Sequence, residues 1–168
     1  MINTINIMSE KHTEIKKLYE LIVKDLLEPI DAKISTVEKS DDIEHIFSLL
    51  TKKNHLWVVD ERKTLHVLGV ITQSDTIQLF APPYTPLQSF DKPTLQSFQY
   101  GLATTAEEIM SKQPITAGLH EKIIGVIVKM KQHKIKQLPV VDENERLLGE
   151  ISLSRLMYEY LKLHGESV

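Results

Sequence analysis

Gly69-Val70-Ile71-Thr72-Gln73-Ser74-Asp75 runs an apolar strand pattern straight into a polar helix start, and the chain repeats the arrangement at Gly149-Glu150-Ile151-Ser152-Leu153-Ser154-Arg155. Each stretch follows an apolar run ending in Val-Val-Asp, at Val58-Val59-Asp60 and at Val140-Val141-Asp142, with a charged turn between. Asp60 precedes Gly69 by nine positions and Asp142 precedes Gly149 by seven, so the second turn is two residues shorter. Drifted copies of one unit look like this, and a duplication implies two related halves whose seam can collect ligands. Where the copies differ therefore bears on function.

Outward from these stretches the script is the same twice. In the first copy Ile43, Ile46, Phe47 and Leu50 form a helical stripe behind Ser40, a suitable N-cap. Leu56 to Val59 and Leu65 to Thr72 read as strands around the turn Asp60-Glu61-Arg62-Lys63, and a helix starts near Ser74. A short strand over Ile34 to Val37 precedes them. In the second copy Thr105-Ala106-Glu107-Glu108 has capping-box spacing and opens a short helix through Met110. Pro114 to Thr116 is extended. Ile123, Val126, Ile127 and Met130 mark the long helix, Leu138 to Val141 and Leu147 to Ser152 the strands, and Leu156, Met157, Tyr160 and Leu163 the closing helix. Each copy is thus β-α-β-β-α, and neither buries its sheet face alone, so the two are expected to pack into one α/β (α+β) module.

Two segments belong to neither copy. Ile15, Leu18, Tyr19, Ile22 and Leu26 keep helical spacing, predicting one amphipathic helix from Lys11 to Glu28 that Pro29 ends. Between the copies, Pro82, Pro83, Pro86 and Pro93 alternate with Tyr84, Phe90, Phe98 and Tyr100, and Leu-Gln-Ser-Phe occurs at 87–90 and 95–98. A helix carrying Leu95, Phe98 and Leu102 fits there, as a structured linker or as a lid or docking element. The expected division is an N-terminal helix over 1–22, repeats over 23–82 and 105–168, and the Pro/aromatic linker or insert over 83–104.

Composition narrows the function. Twenty basic against 23 acidic side chains, a net charge of −3, argue against a general nucleic-acid binder in a chain of 168 residues. With no cysteine there is no disulfide, thiolate nucleophile or zinc–sulfur site. No apolar run reaches membrane-spanning length and no signal peptide is evident, so a cytoplasmic protein without membrane attachment is expected. The histidines His12, His45, His55, His66, His120, His133 and His164 show no metal-ligand spacing, and no Ser/His/acid set is suggested.

The chemistry concentrates at Thr72-Gln73-Ser74-Asp75. A hydroxyl three residues before a carboxylate at a helix start is a capping box. The same geometry suits a ligand: free N–H groups and the helix dipole favour a phosphate, Thr72 can donate to it, and Asp75 can accept from a ribose diol. From the residues alone both readings stand, capping ahead of binding.

The order of elements, with Lys134-Ile135-Lys136-Gln137-Leu138-Pro139-Val140-Val141-Asp142 and the Gly-x-x-Thr-x-x-Asp run at Gly69 to Asp75, resembles the tandem cystathionine-β-synthase (CBS) domain pair, or Bateman module. The resemblance spans both copies. It implies two pseudo-twofold-related repeats packed through their sheets, a cleft with two potential sites for adenosine ligands, and a regulatory role without catalysis or cofactor. On that basis Thr72 and Asp75 would hold phosphate and ribose of AMP, ADP or ATP, with Val70 also in the nucleotide site. Pro114, Ile115 and Thr116 would face the adenine, and Lys134, Lys136 and Gln137 the phosphates, although a lysine at a helix end is also favoured by the dipole. The second site, assembled from Ile34, Ser35, Asn54, His55 and Ser152, departs from the pattern. Arg155 stands where the ribose-binding acid belongs and cannot accept hydrogen bonds. Trp57 stands where the family has proline, so this site is expected to be empty or to take a non-standard ligand. The resemblance further implies a homodimer acting on an enzyme or transporter. The alternatives are a ligand-free interaction module, or a sensor of S-adenosylmethionine, another nucleotide or a nucleic-acid segment.

Overall fold

The computed structural model describes residues 15–30, 35–80 and 103–165. The elements in order are α1 (Val23–Leu26), β1 (Glu28–Pro29), β2 (Thr36–Glu38), α2 (Ile43–Leu50), β3 (His55–Val59), β4 (Val67–Thr72) and α3 (Gln73–Phe80), then α4 (Ala106–Ile109), β5 (Ser111–Lys112), β6 (Ala117–Gly118), α5 (Ile123–His133), β7 (Gln137–Val141), β8 (Leu147–Ser152) and α6 (Leu153–Leu163). They form two four-stranded sheets, ordered β2-β3-β4-β5 and β1-β8-β7-β6. The chain divides into two compact units accordingly, one from 31–114 and one from 1–30 with 115–168. They are called here the first-copy and second-copy units.

The two sheets are built alike. β2 runs parallel to β3 and β6 parallel to β7, each pair joined by a crossover helix, as parallel neighbours require. The β3–β4 and β7–β8 hairpins both carry a register shift at the second valine, between Val58 and Val59 and between Val140 and Val141. Inward residues alternate with half-buried ones along β4 and β8, as period two demands. Val37, Ile46, Leu56, Val58 and Ile71 fill the first-copy core. Ile123, Val126, Leu138, Val140 and Ile151 fill the second-copy core. Burying each such side chain contributes about 1.5–3 kcal/mol.

The fourth strand of each sheet comes from the leader of the other copy. β5, preceding the second copy's long helix, pairs antiparallel with β4, and β1, preceding the first copy, pairs antiparallel with β8. The repeated glycines permit this. A Cβ at Gly149 would run into the Glu28 carbonyl and the Leu27 side chain, and one at Gly69 would lie 2.8 Å from the Ser111 carbonyl. A strand backbone can approach that closely only over glycine.

Several expected boundaries shift. The N-terminal helix is not continuous: residues 15–20 are helical, the chain breaks at Leu21, and α1 follows. The backbone there serves the 119–123 loop instead. Ile123 N donates to Leu21 O at 2.9 Å, Val23 N to Glu121 O and Lys24 N to Leu119 O. Glu28 and Pro29 are consequently strand, not a helix end. The N-cap of α2 is Asp42, whose Oδ1 accepts from His45 N at 2.7 Å, rather than Ser40. β4 starts at Val67 because Leu65 takes a left-handed φ of 56°. The Thr105–Glu108 pair does open α4, with Glu108 Oε2 accepting from Thr105 N at 3.0 Å. The aromatic insert over 83–104, apart from its last residues, and most of the 1–22 segment lie outside the described residues.

Candidate functional site

In the first-copy unit the junction of β4 and α3 gathers one carboxylate and three donors. Asp75 Oδ2 accepts from both Thr72 N and Thr72 Oγ1 at 2.7 Å. Asp75 Oδ1 accepts from Ser111 Oγ on β5 at 3.3 Å. Gln73, between them, donates from Nε2 to the Leu50 carbonyl at 2.8 Å and ties the junction to the end of α2. A carboxylate has about four lone-pair sites. Three of Asp75's are in use, so a vicinal diol needing two bonds must displace Ser111, whose contact is the longest. Thr72 spends its hydroxyl proton on Asp75, and a phosphate accepting from Thr72 must take that proton. Val70 is half-buried and opposite Ser111 in register. His55 and Asn54 lie at this same end of the sheet, His55 opposite Thr72. Trp57 is buried, its indole meeting the His55 ring edge-on with centroids 5.0 Å apart, and Trp57 N donates to Ser35 O. Ile34 lies outside the described residues. Pro114 is half-buried at the end of this unit.

The corresponding junction of the second-copy unit keeps the strand-end hydroxyl and moves the carboxylate from the helix to the incoming strand. Ser152 Oγ accepts from Arg155 N at 3.1 Å and donates to Glu28 Oε2 on β1 at 2.7 Å. The registers make Glu28 the counterpart of Ser111, since Glu28 faces Glu150 as Ser111 faces Val70. The first-copy unit has its carboxylate on the helix and hydroxyls both at the strand end, Thr72, and on the incoming strand, Ser111. The other has its hydroxyl at the strand end and the carboxylate on the incoming strand. Replacement of the helix acid by Arg155 therefore does not leave this junction without an acid. Arg155 turns along its helix, with Nη2 3.7 Å from Glu159 Oε2 and the guanidinium 5.3 Å from the Tyr158 ring centroid. Its Nε is buried without a partner among the described residues.

Lys136 and Gln137 lie beside this junction. Gln137 opens β7 opposite Ser152, and Lys136 O accepts from Leu153 N at 2.7 Å. Lys134 caps α5 in a left-handed conformation, φ 55°, with its N–H on Met130 O. Both lysine side chains are exposed. Ile115 packs on the second-copy core, and Thr116 O accepts from Lys129 Nζ at 2.9 Å. Ser111 and Glu28 are the polar residues that sequence reasoning missed. Their signal was the alignment of Leu26-Leu27-Glu28-Pro29 with Ile109-Met110-Ser111-Lys112 just ahead of each copy. Among the described residues no cluster of His, Asp and Glu is arranged to hold a metal, and no helix is long and apolar enough to cross a membrane.

The CBS domain model matches residues 23–81 and 106–162, most of the chain. The chain belongs to the CBS-domain family. Both CBS repeats have the junction described above, each completed by the other's leader strand. Among solved structures, the CBS protein CBSX2 in complex with AMP superposes with a TM-score of 0.69 at 19% identity, covering 85% of this chain and 98% of that one. The CBS domain pair of protein MJ0100, in complex with 5′-methylthioadenosine and S-adenosyl-L-methionine, gives 0.60 at 27% identity, covering 82% and 98%. A homoserine O-acetyltransferase of Methanosphaera stadtmanae is 27% identical over 129 residues, 76% of this chain but 22% of that protein. The chain spans about a quarter or less of the first curated relatives it matches.

Proposed function

We propose that this CBS pair is a regulatory module that binds an adenine nucleotide and passes the occupancy on through a change of conformation or association. The observation that carries the reading is Asp75. It is a half-buried carboxylate at a helix N-terminus with three of its about four acceptor positions in use, the contact from Ser111 being the longest. A ribose diol fits that acceptor, and the phosphates of AMP, ADP or ATP fit the first turn of α3 with Thr72. Within the same unit the reading adds Val70 and Pro114 to the ligand's surroundings; Lys136 and Gln137, which the resemblance assigns to the phosphates, lie instead beside the Ser152 junction. The adenosine ligands of CBSX2 and of the MJ0100 pair support it. So does the match to a segment of much larger enzymes, because what those relatives share with this chain is the CBS pair. Binding favours one state of the module over another, and a partner enzyme or transporter reads that shift.

A second reading rests on exposed apolar side chains. Ile77 and Phe80 on α3 are 64% and 72% exposed, and Met157 on α6 is 53% exposed. These helices suit self-association into a homodimer, which is compatible with a sensor and is all that a ligand-free interaction module would need.

A thermal-shift titration with AMP, ADP, ATP and S-adenosylmethionine separates the readings. A ligand at 100 times its dissociation constant adds about 2.7 kcal/mol, a shift of several degrees. Asp75→Ala should abolish the shift. A flat response to all four ligands refutes the adenine-nucleotide reading, and an undiminished shift in Asp75→Ala removes Asp75 from the site.

A further inference from the structure

In the first-copy unit an apolar face of α3 stands bare at the last described residue before the aromatic insert. Ile77 and Phe80 are three residues apart, so they share a face, and they are 64% and 72% exposed. The Phe80 ring stacks on Phe47 of α2, with centroids 5.3 Å apart and ring planes 25° from parallel. Leu79, beside Phe80, packs on the core of the unit. The end of α3 is therefore anchored while its outer face is open. Single exposed apolar residues are ordinary, but two neighbours continuous with a half-buried ring form a contiguous patch.

The chain returns beside the place it left. Ala103 packs on the same core, and Thr104 O accepts from Ile43 N at 3.1 Å at the start of α2. Ile43 and Phe47 are one helical turn apart, about 6 Å along α2. Both ends of the 81–102 segment are thus held on one helix of one unit. Its sequence is apolar for its length. It carries two of the chain's four phenylalanines, two of its five tyrosines, and only Asp91 and Lys92 as charged residues. Each Leu-Gln-Ser-Phe, at 87–90 and at 95–98, sets a leucine and a phenylalanine three residues apart, the spacing of Ile77 and Phe80.

Two occupants fit the face, a second copy of the chain and the chain's own segment, and competition decides between them. A segment tethered at both ends beside the face meets it at an effective concentration on the order of millimolar. A second copy at micromolar concentration must bind about a thousandfold more tightly to displace it.

We propose that residues 81–102 seat on this face of their own unit and cover Ile77 and Phe80 with Phe90 and Phe98. The added rings extend the Phe47–Phe80 stack, and aromatic pairs favour such offset or edge contacts. The α3 face is then closed to a second copy, and self-association falls to α6, where Met157 stays exposed. α3 carries Asp75 in its first turn and this face in its last, so the segment rests on the helix that presents the candidate nucleotide carboxylate.

The test is isotope-filtered NOE spectroscopy on the full chain, labelled at isoleucine Cδ1 methyls and phenylalanine rings. Ile77 should show NOEs to the ring of Phe90 or Phe98 within one molecule. In an equal mixture of labelled and unlabelled chains no such NOE should pass between molecules. Replacing both rings, Phe90→Ser with Phe98→Ser, should uncover the helix end, and amide exchange over 77–80 should quicken about tenfold. NOEs from Ile77 to a second copy overturn the proposal, as does the absence of any NOE from Ile77 to residues 81–102. Unchanged exchange over 77–80 in the double variant overturns it too. Should that variant not fold, the NOE measurement on the unaltered chain decides. No nucleotide enters either measurement, so the outcome is independent of the sensor reading.

Discussion

Replacing Gly149 with alanine tests whether the exchanged leader strand is as tightly seated as its register implies. The added Cβ would collide with the Glu28 carbonyl, which is backbone and cannot swing aside, so β1 must move off β8. Three contacts weaken together. The Glu28–Glu150 pairing and the Ile30 N to Leu148 O bond are backbone contacts worth about 1 kcal/mol each. The Ser152–Glu28 bond has an ionised acceptor and is worth about 1.5–3 kcal/mol, at the lower end because it is only part-buried. Against them stands the usual gain of about 0.4–1 kcal/mol from replacing glycine in the unfolded chain. The net loss is about 3 kcal/mol, or roughly 6–12 °C in Tm for a chain of this size. Differential scanning calorimetry reads it directly. Gly118→Ala is the matched control: no heavy atom lies within 4 Å of the new Cβ, so only the small entropic gain remains and Tm should hold or rise. If Gly149→Ala is as stable as Gly118→Ala, the close β1–β8 seating is wrong.

Acid stability and one cap give two further outcomes. Backbone N–H donation from Arg146 holds Asp142 below its ordinary value, and donation from Thr104 does the same for Glu108. Slight burial would raise Asp60, but the Thr64 hydroxyl and the Glu61 and His66 N–H groups bring it down overall. Carboxyls with lowered folded pKa contribute stability that is complete above their unfolded values near 4 and is lost as pH falls through the folded ones. Urea midpoints should therefore hold from pH 7 to about 5 and drop below about 4, with a shallower drop in Asp142→Asn. Lys134→Gly should add about 1 kcal/mol to the unfolding free energy and raise the urea midpoint accordingly, since glycine accepts the left-handed cap without the Cβ penalty.

Much of the fold was legible because its long elements carry strong periods. The stripes at Ile43 to Leu50 and Ile123 to Met130, and the alternation into Thr72 and Ser152, survive into the structure as α2, α5, β4 and β8. β1 and β5 were not legible, because two residues have no period to read. Glu28 was assigned to a helix because Ile15 to Leu26 keep helical spacing. The backbone of Leu21 to Lys24 is claimed instead by a loop a hundred residues away, and local sequence carries no trace of that. At the candidate site Thr72 and Asp75 could be paired by their spacing alone. Ser111 and Glu28 could not, since they reach their partners across 36 and 124 residues. The expectation of a second junction stripped of its acid came from reading Arg155 by itself, without the strand that crosses in front of it.

The traded leader strands make each copy depend on the other for its sheet edge. A fragment holding one copy alone would keep its own leader, which pairs with the wrong sheet, and would lose the one that finishes its edge. β4 or β8 would then present an open row of N–H and C=O groups beside a glycine shaped for close approach, a template for pairing with another chain. A single repeat cut from this chain should aggregate or form an exchanged dimer. The polar residues of the two copies differ, as Asp75 and Arg155 do, while a glycine stands under each leader at Gly69 and Gly149.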